Sequence, residues 1–195
     1  FPSKRMRRLR QFSWSREMVS ENTLSPKNLI LPLFISATKK STLINTMPGI
    51  KRLCVDEIID KCHEAKELKI PAIALFPETQ KKLKNSSGSE SINPDNLVCR
   101  TVRRIKDKTK NLGIICDIAL DPYTSSGHDG IIENKEIHND KTIDLLCKQA
   151  LINAQAGCSI IAPSDMMDGR IGSIRSILDK HNYQNIMIMS YAAKY

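Results

Sequence analysis

The sequence predicts an α/β fold built on a parallel sheet. Five short, nearly continuous apolar runs bounded by turn residues recur along the 195-residue chain. Amphipathic helical patterns fill the intervals between them, at ~35–45 residues per unit, the spacing of strand, helix and connections.

The first run, residues 28–35 (NLILPLFI), follows a polar, basic start that includes RMRRLR at 5–10. The others are PAIALFP at 71–77, LGIICDIAL at 112–120, CSIIAPS at 158–164 and NIMIMSYA at 185–192. Between them, Val55, Ile58, Ile59, Cys62 and Ala65 share one helical face, and Leu97, Val98, Thr101, Val102 and Ile105 share another. The clearest helix carries Ile143, Leu146, Cys147, Ala150, Leu151 and Ala154, with Asn139 as its expected N-cap and Gly157 as its stop. Pattern alone fits a doubly wound sheet and a TIM barrel equally. Long segments at 36–51, 78–94 and 121–138 follow strands, where such folds keep their functional loops.

Composition narrows the function classes. A hydrophobic content of 41% is that of a globular chain, and no apolar run reaches the ~20 residues of a membrane span. The N-terminal residues lack the apolar core of a secretory signal, so a soluble cytoplasmic protein is expected, with no membrane partner. The net charge of +9 raises the question of nucleic acid, but aromatics are only 5% and no binding module is present, so no nucleic-acid partner is expected. Six scattered cysteines, with no CxxC pair, read as small buried residues in a reducing compartment.

In parallel α/β folds the ligand site lies beyond the carboxyl ends of the strands. Those ends are polar here. Asp117 interrupts the third run, Asp121 follows it, Ser164 and Asp165 close the fourth, and Lys194 closes the fifth. A free lysine of pKa ~10.4 is only ~0.04% neutral at pH 7, whereas burial that lowers it to ~7.5 makes about a quarter of it nucleophilic. Schiff-base chemistry requires that shift.

Three segments, DIALDPYTSSGHDG at 117–130, APSDMMDGR at 162–170 and MSYAAKY at 189–195, occur in the order and context found in porphobilinogen synthases, also called 5-aminolevulinate dehydratases. MPGIKRL at 47–53, PAIALFP and GSESINPDNLV at 88–98 add to the match. The chain thus resembles that family from RMRRLR onward. The resemblance implies a TIM (β/α)8 barrel, with an N-terminal arm over residues 1–27 and about the first five strands over 28–195. It implies a homo-octamer, 5-aminolevulinate as substrate, Lys194 as one of two Schiff-base lysines, and Asp117 and Ser164 in the surrounding pocket.

Zinc-dependent members carry three loop cysteines at positions that read Ala119, Asp121 and Asp129 here, so zinc is not expected. Carboxylate oxygens suit a hard ion such as Mg2+, with Asp121 and Asp129 as its candidate ligands. The alternative is that both aspartates form hydrogen bonds in a metal-free site, and His128 is read as an ordinary hydrogen-bonding loop residue. The family's second lysine and substrate-binding lid are not in this sequence, so the chain alone is expected to be catalytically incompetent. An inactive truncated member or an assembly module is the alternative reading.

Overall fold

The computed structural model describes residues 3–193. The N-terminal residues form a 3-10 turn at Met6–Arg10 and a short helix α1, Ser13–Met18. Strand β1 (Ile30–Ile35) opens the sheet, followed by β2 (Thr42–Leu43), β3 (Lys51–Leu53) and helix α2 (Val55–Glu67). Then come β4 (Ala72–Pro77), α3 (Leu97–Lys108), β5 (Gly113–Ile118) and a small hairpin of β6 (Ile132–Glu133) and β7 (Glu136–Ile137). Helix α4 (Asn139–Ala156), β8 (Ile160–Pro163), α5 (Arg170–Lys180) and β9 (Met187–Ile188) complete the order.

All five predicted runs form strands, and they lie side by side in sequence order, β1-β4-β5-β8-β9, each pair parallel. That succession is the open wall of a TIM barrel, since a doubly wound sheet reverses direction at a switch point. β3 adds to the outer edge of β1 in parallel, and β2 to β3 antiparallel. These two strands and the β6–β7 hairpin were not anticipated, because runs of two or three residues carry no period.

Two apolar layers flank the sheet. The larger packs Leu33, Ile73, Leu75, Ile114, Cys116 and Ile161 under the helices, through Ile58, Val102, Ile105, Leu146 and Leu178. The smaller faces the barrel axis and consists of Ala72, Ala74, Ile115, Ile160 and Ala162, with Phe76 packed against it. Alternation along each strand produces this division. β4 and β8 end alike: Pro77 pairs with Ile35 and Pro163 with Ile118 at the last rung, and in each case the N–H of the next residue, Glu78 or Ser164, still donates to that partner's carbonyl.

Helix α4 departs from expectation at one end. Its N-cap is His138 rather than Asn139, with Nδ1 accepting from the Lys141 N–H at 3.4 Å, so Asn139 is the first helical residue. An imidazole nitrogen takes the capping role there, leaving the Asn139 amide to reach another loop. The other end is as predicted, with Gly157 in the left-handed region at φ 104°. Leu146, at 0% exposure, is the apolar centre of α4. Leu146→Ala should cost about 3 kcal/mol in urea unfolding, by lost burial plus the cavity left behind.

Candidate active site

Asp117 is two residues beyond the axis-facing Ile115 and pairs with Ala162, so it belongs to the layer that faces the barrel interior. In the same layer Phe34 pairs with Phe76, their rings 5.6 Å apart. A half-buried carboxylate thus stands between two apolar neighbours near the carboxyl end of its strand.

Ser164 directly follows Pro163, half-buried, with its N–H donating to the Ile118 carbonyl at 3.2 Å. Beyond β9 the chain stays on the β8 ladder, because the Met189 and Tyr191 N–H groups donate to the Ile161 and Pro163 carbonyls at 2.9 and 3.2 Å. This carries Tyr191 to the same rim. Partial desolvation raises the Tyr191 phenol above its ordinary range, and the nearby Asp117 charge adds to that rise. Lys194, three residues further on, lies outside the described residues.

The two candidate metal ligands sit differently. Asp121 is exposed, whereas Asp129 is 8% exposed. Among the described residues no group of three or more His, Cys, Asp or Glu side chains is placed to hold a metal ion. The oxygen-only donors suit a hard ion rather than zinc. The arrangement does not make a complete metal cage, and no chemical step is assigned to one. His128 makes local bonds, its Nδ1 accepting from the Gly130 N–H at 2.9 Å and its carbonyl from the Thr124 hydroxyl at 2.9 Å.

The buried Cys62, Cys99 and Cys116 are structural. Burial pushes Cys62 up to about 11 and Cys99 to about 12, and a hydrogen bond with Cys158, then burial, raises Cys116 well above the ordinary thiol range. Such thiols stay protonated at neutral pH and are poor nucleophiles.

Gln149, Thr142 and Arg170, which position the loops of the candidate site, are not singled out by the sequence, whereas Asp165 is. The Gln149 amide on α4 donates to the Ala119 carbonyl at 3.2 Å, and Thr142 Oγ1 accepts from the Ile131 N–H at 2.9 Å while donating to the His138 carbonyl. One helix therefore grips both ends of the loop that carries Asp121 and Asp129. Asp165, 3% exposed, meets Arg170, whose Nε lies 3.2 Å from Oδ2 without hydrogen-bond alignment. Asp165 also accepts from the Met167 N–H at 2.8 Å, and Arg170 donates to the Met167 carbonyl at 3.0 Å. Asn139 ties this turn to α4, accepting from the Asp168 N–H at 2.8 Å. Asp and Arg five residues apart in SDMMDGR were the available signal.

Burial holds the Asp165 carboxyl above the usual range despite Arg170, and the Asp129 charge adds to the rise. The folded state therefore binds this proton more tightly than the unfolded chain. The resulting stability is full below the unfolded value of ~3.9 and is lost as pH rises through the raised folded value. Arg170→Met should cost about 3 kcal/mol in urea unfolding at about pH 7, by leaving a buried charge without its partner. The loss should shrink at about pH 4.5, where the carboxyl can take up a proton.

Known proteins share this architecture. A family model described as delta-aminolevulinic acid dehydratase matches residues 3–195. The delta-aminolevulinic acid dehydratase of Bradyrhizobium diazoefficiens is 51% identical, over 98% of this chain and 54% of its own length. The chloroplastic delta-aminolevulinic acid dehydratase 1 of Arabidopsis thaliana is 47% identical, over 99% of this chain and 45% of its own. The crystal structure of the Toxoplasma gondii enzyme, in complex with the reaction product porphobilinogen, superposes with a TM-score of 0.95 at 40% identity, over 98% of this chain and 55% of that one. The chain spans about half the length of the curated relatives it matches.

Proposed function

This chain belongs to the delta-aminolevulinic acid dehydratase family, and on that premise we propose that it carries one Schiff-base half of a porphobilinogen synthase active site. The observation that carries the reading is the convergence at one rim of Asp117, Ser164 and the segment leading to Lys194, with Tyr191 close enough to sense the Asp117 charge.

In this reading the neutral amine of Lys194 adds to the ketone carbon of 5-aminolevulinate, and loss of water leaves a protonated imine. The imine draws electrons from the adjacent carbon, whose proton can then leave, and the resulting carbon nucleophile joins a second substrate molecule. Asp117 accepts a proton or balances the iminium charge, and Ser164 donates a hydrogen bond to a bound oxygen. The apolar Phe34, Phe76 and Ala162 around Asp117 favour a neutral lysine by desolvation.

Two further parts of the reading concern surroundings. Asp121 and Asp129 remain the proposed ligands if Mg2+ binds, supported by their oxygen donors. A homo-oligomer, an octamer by family resemblance, is supported by the arm, where Met6, Trp14, Met18 and Leu24 are 80%, 61%, 78% and 81% exposed and would gain from a covering surface. No helix among the described residues is long and apolar enough to cross a membrane. The setting we propose is an aqueous compartment, cytoplasm or plastid.

Borohydride added to the full-length enzyme with 5-aminolevulinate should leave a reduced substrate adduct on Lys194, read by peptide mass spectrometry. Adducts only on other lysines would sink the assignment. Porphobilinogen formation should persist after zinc is chelated away, with Mg2+ stimulating it if the aspartates bind metal. Activity restored by zinc alone, with stoichiometric zinc at the loop, would overturn the metal reading.

A further inference from the structure

The rim beside the proposed site carries a cluster of lysines. The loop after β1 carries Lys39 and Lys40, and the loop after β4 carries Lys81, Lys82 and Lys84. Among the described residues none of these five lysines is in an ion pair. The carboxylate set between the two loops, Glu78, is already engaged: Arg52 approaches it to 3.7 Å and the Ala37 N–H donates to it at 3.3 Å.

Between these loops and the loop after β5 lies an open pocket of about 720 Å³, lined by Thr38, Glu78, Lys81, Lys84 and Ser125 among others. Lys84 is half-buried in its wall, and among the described residues it is in no ion pair. The pocket adjoins the barrel mouth. Glu78 continues the β4 ladder, its N–H donating to the Ile35 carbonyl at 2.9 Å, and is two residues past the axis-facing Phe76. It thus sits one layer above the Phe34, Phe76 and Asp117 layer. Cationic walls around a concave, low-dielectric site concentrate anions and raise their rate of arrival.

We propose that this pocket is an entry subsite, where Lys84, aided by Lys81, holds the carboxylate of incoming 5-aminolevulinate before the ketone reaches the barrel axis. The inference rests on the function proposed above for its choice of anion. The Ser125 hydroxyl stands in the same wall and can donate to the carboxylate, whereas the Thr38 hydroxyl already donates to the Lys40 carbonyl. No bond forms or breaks in this step.

The test uses the full-length enzyme and two independent readouts. In steady-state kinetics Lys84→Met, and more strongly Lys81→Met with Lys84→Met, should raise KM for 5-aminolevulinate roughly 3- to 10-fold, with kcat little changed. The fall of kcat/KM with rising salt should become shallower, and Lys84→Arg should retain wild-type behaviour. In the second readout, 5-aminolevulinate should protect Lys84 from an amine-acetylating reagent, measured peptide by peptide, whether or not the enzyme turns over. Protection without porphobilinogen formation would leave the subsite standing and remove the function proposed for the chain. An unchanged KM and salt slope, a fall in kcat alone, or the absence of protection would overturn the subsite. Equal protection by inorganic phosphate would overturn the assignment to the substrate carboxylate, leaving a general anion site.

Discussion

The geometry of this site depends on the grip that helix α4 has on the loop following β5. Gln149 holds the Ala119 carbonyl at one end and Thr142 holds the Ile131 N–H at the other, both from the buried face of a single helix. A loop of this length would otherwise sample many conformations, and each fixed residue costs ~1–2 kcal/mol of backbone entropy. Two buried hydrogen bonds do not offset that cost alone, but they set the endpoints between which Asp121, His128 and Asp129 are arranged. Leu146 and Ala150, on the same helix, anchor it to the sheet by apolar burial. The apolar contacts supply the energy and the polar contacts supply the register.

The second fixed point is the Asp165–Arg170 pair in the turn after β8. Buried ion pairs contribute little net stability, since desolvation offsets attraction. Their value is directional. Arg170 contacts both Asp165 and the Met167 carbonyl, and Asn139 ties the adjoining Asp168 backbone to α4. The loops after β5 and β8 are therefore indexed to one helix, and through it to each other.

Much of the frame was legible in the sequence. Five apolar runs became five adjacent parallel strands, and the helical faces of α2, α3 and α4 followed their periodicity. Asp117 stood out because a carboxylate within an apolar strand breaks the pattern. Gln149 and Thr142 did not, because a polar residue on a helix reads as solvent-facing unless its partner is known, and each partner is a backbone group in a distant loop. The N-cap of α4 was misplaced by one residue, because His138 ranks below asparagine as a cap in general while Asn139 is committed to Asp168. Barrel and doubly wound topology could not be separated by pattern, since both repeat the same βα unit, and the order of strands decided between them.

The prolines that close β4 and β8 separate two kinds of change. Beyond Pro77 and Pro163 the N–H of the next residue, Glu78 or Ser164, still reaches the neighbouring strand, and the residues that follow belong to loops held by their own contacts rather than by the ladder. The rim can diversify while the wall beneath stays constant. A substitution in the rim can therefore change the polarity of the entrance while the hydrogen bonds that hold the sheet together stay as they are.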